Sequence, residues 1–127
     1  MPGKHLYEYA VIRVVPRVER EEFFNAGVIV FSKQLKYLKA KVHLHRTKLH
    51  ALCGGVDCDE VQEHLDSLCR IAAGDPSAGP IALLDTPSRF RWLTATRSTI
   101  VQASKVHPGF CDDPDKVLEK LFEQMVM

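Results

Sequence analysis

The chain has 127 residues, 46% hydrophobic and 26% charged, and its 17 Lys and Arg nearly balance 16 Asp and Glu. That balance gives no general pull toward nucleic acid or a membrane surface, and the length is that of one domain, residues 1–127, able to fold without staples. The start, MPGKHLYEY, has no apolar signal region and no apolar run reaches the roughly 18 residues a membrane span needs, so a reducing cytoplasm with its four cysteines as free thiols is expected.

Residues 5–15 read as a strand that is apolar on both faces, with Arg13 in its middle, and Pro16 ends it. Arg17 to Glu21 reads as a charged turn. Residues 22–32 form a second strand on the strength of Val28-Ile29-Val30-Phe31. Strict alternation puts Asn25 and Gly27 on one face with Phe23, Ile29 and Phe31, and a glycine there signals a bulge or a close approach. After a turn at 33–36 without the usual glycine, residues 37–44 alternate cleanly. Leu38, Ala40, Val42 and Leu44 face in, while Lys39, Lys41 and His43 face out and protect an edge.

The spacing then becomes helical. Thr47 to Cys53 form a short helix ended by Gly54-Gly55. Asp57 or Asp59 caps a second, with Val61, Leu65, Leu68 and Ala72 on one face and Gly74 at its end. Residues 74–80, GDPSAGP, read as a loop, and Ile81 to Leu84 as a short strand. Phe90 to Thr96 and Thr99 to Lys105 are the remaining strand candidates, with a bend at Arg97-Ser98. Asp112 or Asp113 caps a last helix whose first position suits Pro114 and whose apolar stripe runs from Val117 to Val126. The element string βββααβ(β)α predicts an α+β fold: a mainly antiparallel sheet of four to five strands with helices packed on one face.

Chemistry-bearing clusters are sparse. Six histidines and four cysteines offer only one loose pair, Cys53 and Cys58, so no metal site and no cofactor is expected. His107 and Cys111, in the loop HPGFC before the last helix, could make a thiolate favoured by the helix dipole and an imidazolium, but no third group orients the histidine. No phosphate-binding loop, dinucleotide fingerprint or nucleophile elbow occurs. Arg13 is the polar group that most needs a partner. Either it bridges to a carboxylate among Glu8, Glu21, Glu22 and Asp85, or it lines an anion pocket, since a planar fork suits carboxylate and phosphate. RFRWLTATRS, residues 89–98, adds arginines, hydroxyls and a tryptophan. With a net charge of +1, solvated arginines on a sheet face explain it better than a nucleic-acid grip.

Two blocks, YEYAVIRVVPRVEREEFFNAGVIVF (7–31) and RFRWLTATRSTIVQASKVHPGFCDDP (89–114), resemble the bacterial domain-of-unknown-function 3037 family. The resemblance extends over nearly the whole chain and is weakest in the middle. It implies recurrent positions at Arg13, Pro16, Arg20, Glu22, Asn25, Gly27, Arg91, Thr94, Arg97, Ser98, Gln102 and His107, with no cysteine among them. It also implies a kinase-like partner of the HipA type. The resulting expectation is a non-catalytic binding or partner module whose two blocks meet in a polar pocket for an anionic ligand. Arg13, Arg91 and Arg97 would supply charge, Asn25, Ser98 and Gln102 neutral hydrogen bonds, and His107 a titrating rim. The alternative is an enzyme acting on a phosphate-containing substrate with His107 as general acid or base. The exposed edge at 37–44 and the amphipathic last helix both allow a homodimer.

Overall fold

Runs of β-branched and aromatic residues set the sheet, and the computed structural model describes them within residues 4–17, 22–52, 57–95 and 100–127. β1 (His5–Arg17) is central. It pairs antiparallel with β2 (Glu22–Ser32) on one side, and β2 pairs with β3 (Tyr37–Val42). On its other side β1 carries two short strands end to end, β4 (Val101–Ala103) at Ile12 to Val14 and β5 (His107–Cys111) at His5 to Tyr9. The sheet has five antiparallel strands in the order β3-β2-β1-β4, with β5 beside β4 on β1. The fold is α+β, and both ends of the chain's second polar block lie against the first.

Ser104 makes the joint between β4 and β5. Its amide donates to the Val11 carbonyl at 2.8 Å, while the Val11 amide donates to its Oγ at 2.8 Å. The hydroxyl thus stands in for a ladder carbonyl where the strand changes course, which satisfies a buried amide. A bulge lies opposite. The β1–β2 register slips between Ile12 and Arg13, so Ala26 and Gly27 share one step of the ladder. A Cβ on Gly27 would meet the Lys41 carbonyl oxygen at 2.6 Å, so glycine is required by a close backbone approach. The bulge also corrects the strict alternation read from sequence. Phe24 and Ala26 join Ile29 and Phe31 in one core, and Phe23 and Asn25 turn to the opposite face.

Helices cover both faces. α1 (Arg46–Leu52), α2 (Cys58–Ala73) and α3 (Thr86–Thr94) serve one core, with Leu49, Leu65, Leu68, Phe90 and Leu93 meeting Ile12, Val14, Ile29 and Phe31. α4 (Pro114–Met125) lays Leu118, Leu121 and Phe122 on Val28 and Val30 of the other face. The expectation that helices pack on one face is corrected here: the outward lysines of β3 meet α4, Lys41 to Glu119 at 2.6 Å and Lys39 to Asp115 at 3.8 Å. The caps fall as expected. The Asp57 carboxylate accepts from the amides of Asp59 and Glu60, Gly74 ends α2 at φ 74°, and the Asp113 carboxylate accepts from the Asp115 amide.

Three local expectations change. The expected strand from Phe90 to Thr96 is helix through Thr94, and Thr96 lies outside the described residues. The Asp85 carboxylate accepts from the Ser88 amide at 2.8 Å and Pro87 sits in the first turn, so capping starts α3 through the aromatic run. Residues 81–83 belong to a 3-10 turn, Pro80–Leu83, which Leu84 caps, rather than to a strand. HPGFC is not a loop but β5. Pro108 is tolerated because β5 is an outer strand, and Gly109 leaves room for the Tyr7 ring, whose Cζ would lie 2.5 Å from an added Cβ. The turn at 33–36 places Lys36 at φ 51°, where glycine is the common choice.

Candidate functional site

The two polar blocks meet through β1 and β4. Arg13 is the cross-strand neighbour of Asn25 on β2 and of Gln102 on β4, so three of the expected site residues form one row across the sheet. The row faces the α4 side, because Ile12 and Val14 on either side of Arg13 belong to the opposite core. The Arg13 guanidinium lies over the Phe23 ring, 4.4 Å from its centroid. Phe23 is itself 49% exposed, so this stack sits at the protein surface. Nε of Arg13 is buried and has no hydrogen-bond partner. Among the described residues no ion pair joins Arg13 to Glu8 or Asp85, and Glu21 lies outside the described residues.

Asn25 has a role in the fold. Its Nδ2 donates to the Met125 carbonyl at 2.8 Å, which satisfies a last-turn acceptor of α4 and ties that helix to β2. Arg13 therefore sits beside the carbonyl end of α4. The Arg89 guanidinium is used differently: its Nη1 donates to the Leu84 carbonyl at 2.8 Å and its Nη2 to the Ala72 carbonyl at 3.5 Å, closing the end of α2 over the start of α3.

The other expected members do not join the row. Arg91 is exposed on α3, which covers the opposite face, and its Nη2 donates to Ser88 of the same helix at 3.2 Å. Arg97 and Ser98 lie outside the described residues, as do Arg20 and Cys53. His107 pairs with Tyr9, four residues from Arg13 along β1, and its ring stacks on Tyr9 at 5.3 Å. Four strand steps are roughly 13 Å, too far for one small ligand group to touch both. The same spacing separates His107 from Cys111 along β5, so they form no dyad. Burial first, then the carboxylates of Asp112 and Asp113, pushes the Cys111 thiol up, the reverse of the activation its place before α4 suggested.

Two hollows open elsewhere. One, about 530 Å³, runs between β5 and α4 and is lined by Tyr7, Phe110, Lys116, Lys120 and Gln124 among others. Burial, followed by Tyr9 and Cys111, keeps the Tyr7 phenol protonated beyond its usual range. A second, about 330 Å³, lies on the far side of Phe110 against Leu6, Glu8, Phe31 and Lys33. Neither of these two includes a residue of the Arg13 row.

Sequence reasoning missed two features. Phe23 is the diagonal cross-strand neighbour of Arg13 once the bulge is placed, so the hairpin register carried the signal. Cys58 of α2 and His50 of α1, eight residues apart, meet with Sγ and Nε2 3.3 Å apart. Among the described residues no group of three or more His, Cys, Asp or Glu converges as a metal site.

The family model described as "Protein of unknown function (DUF3037)" matches residues 9–126, which takes in all but the first two residues of the first polar block and the whole of the second. No curated protein and no solved structure matches the chain.

Proposed function

The chain belongs to the DUF3037 family, and from that premise we propose that it is a non-catalytic binding module of the bacterial cytoplasm that takes an anionic group at Arg13. One observation carries the reading. An arginine in mid-sheet is stacked on a half-exposed phenylalanine, flanked by two amide side chains, and holds a buried Nε without a partner. An orphaned buried donor is costly, and an arriving carboxylate or phosphate oxygen would satisfy it. Bidentate acceptance by a planar anion is what a guanidinium favours over an ammonium. The enzyme alternative has less support, because His107 stands far along the sheet from Arg13 and stacks on a tyrosine rather than meeting a carboxylate.

The test is affinity capture from the host lysate with the wild-type chain and with Arg13→Lys, followed by mass spectrometry of proteins and small molecules. The reading expects an anionic ligand, or a protein with an acidic docking segment, held by wild type and lost with Arg13→Lys. A kinase-like protein of the HipA type is the first partner class to look for. Identical captured sets from two equally folded proteins would end the proposal.

A further inference from the structure

Of the described thiols Cys58 and Cys111 are buried and Cys69 partly so, and Cys58 lies within hydrogen-bond distance of a histidine ring nitrogen. Cys69 is partly buried in α2, and burial followed by Asp66 pushes its thiol up to about 11. Cys111 is buried and its thiol is raised by burial and by two aspartates. Cys58 differs in geometry. It is the first residue of α2, and its Sγ lies 3.3 Å from Nε2 of His50, a side chain brought from a separate helix. His50 is exposed, so its ring can exchange a proton with solvent. The nearby charges come from both helices. The Asp57 carboxylate is occupied by the amides of Asp59 and Glu60, and Arg46 of α1 neutralises Asp59 at 3.1 Å. Glu60 is a further acidic residue in the first turn of α2.

We propose that Cys58 and His50 form a reactive thiol–imidazole pair, a modification site for small soft electrophiles, hydroperoxides above all. His50 Nε2 takes the Sγ proton. The sulfur electron pair then attacks the nearer peroxide oxygen and the O–O bond breaks. The leaving hydroxide, or the alkoxide of an organic hydroperoxide, takes the proton from the imidazolium and departs as water or alcohol. Sulfur is oxidised to a sulfenic acid and the peroxide is reduced, so atoms and electrons balance. The start of a helix also stabilises negative charge as it develops on sulfur.

The test uses the full chain in a Cys53→Ser background, with iodoacetamide as probe and fragment mass spectrometry to resolve the three thiols. At pH 7, Cys58 is expected to alkylate at least about tenfold faster than Cys69 or Cys111, in line with the reactivity a neighbouring base confers. His50→Ala, an exposed change on α1, is expected to remove most of that advantage, and added imidazole to restore part of it. A purely structural histidine would show no such rescue. Brief treatment with hydrogen peroxide is expected to block alkylation at Cys58 first, reversibly with dithiothreitol. Equal rates at the three cysteines overturn the proposal, as does a His50→Ala protein that alkylates as fast as its parent.

Discussion

Ile12, Val14, Ile29 and Phe31 look out from one face of the sheet into an apolar core shared with α2 and α3. Val28 and Val30 look out from the other face onto α4, yet around them stand Tyr7, Tyr9, Tyr37, Asn25 and Arg13. The first face is a core whose composition is explained by burial alone. The second is held by burial in its centre and by polar contacts at its margins: Tyr37 Oη donates to Asp115 at 2.7 Å, Lys41 to Glu119 and Asn25 to Met125. Burial, then that bond to Asp115, holds the Tyr37 phenol firmly protonated. The exposed pairs contribute little each. The contrast teaches where function can reside. On the α4 face stands Arg13, whose buried Nε has no hydrogen-bond partner; Arg89 shares that feature on the other side, but its Nη1 and Nη2 hold the Leu84 and Ala72 carbonyls.

Four substitutions break or sharpen this contrast, in descending order of effect. Leu65→Ala empties a fully buried position under α2 and should cost about 3 kcal/mol in denaturant unfolding, while leaving anion binding at Arg13 unchanged. Loss of binding in the folded fraction would show that the faces are not independent. Gly27→Ala forces a methyl against the Lys41 carbonyl and should cost about 2 kcal/mol. Because the bulge aligns Arg13 with Asn25, this variant should also weaken binding, which calorimetry can follow. Asn25→Ala removes the donor to the Met125 carbonyl and should cost about 1 kcal/mol. Hydrogen exchange should quicken in the last turn of α4 and not in α2.

Asp85→Asn has the smallest effect, and it depends on pH. Hydrogen bonds from Ser88 hold the Asp85 carboxyl below its usual value, so its contribution is present above roughly pH 4 and is lost as the pH falls through the lowered folded-state value. Thermal melts from pH 6 to pH 3 should show a steeper acid decline in wild type than in Asp85→Asn. Equal declines would mean the cap of α3 is not what titrates.

Much of this was legible in the sequence, and the failures share a cause. β1, β2, β3, α2 and α4 follow from periodicity and from caps at Asp57, Gly74 and Asp113, because each signal is local. Phe90 to Thr96 misled because aromatic residues favour strands, while the deciding feature, the Asp85 cap with Pro87, lies just before them. HPGFC misled because Pro and Gly read as a loop, whereas Gly109 is there to admit Tyr7 from β1. Of the expected site, Arg13, Asn25 and Gln102 came together because they lie on neighbouring strands. Arg91 did not, since its helix covers the other face. The Asn25 contact to the end of α4 and the Cys58–His50 contact depend on tertiary packing, and no sequence period encodes either.

The most direct test is the Nε–H resonance of Arg13 in a titration with inorganic phosphate and with acetate. A saturable shift at Arg13, larger than at Arg89 or Arg91 and matched by losses of binding in Arg13→Lys, is the result this account predicts. An Arg13 signal that stays in place, or one that moves no more than every other arginine, would contradict it.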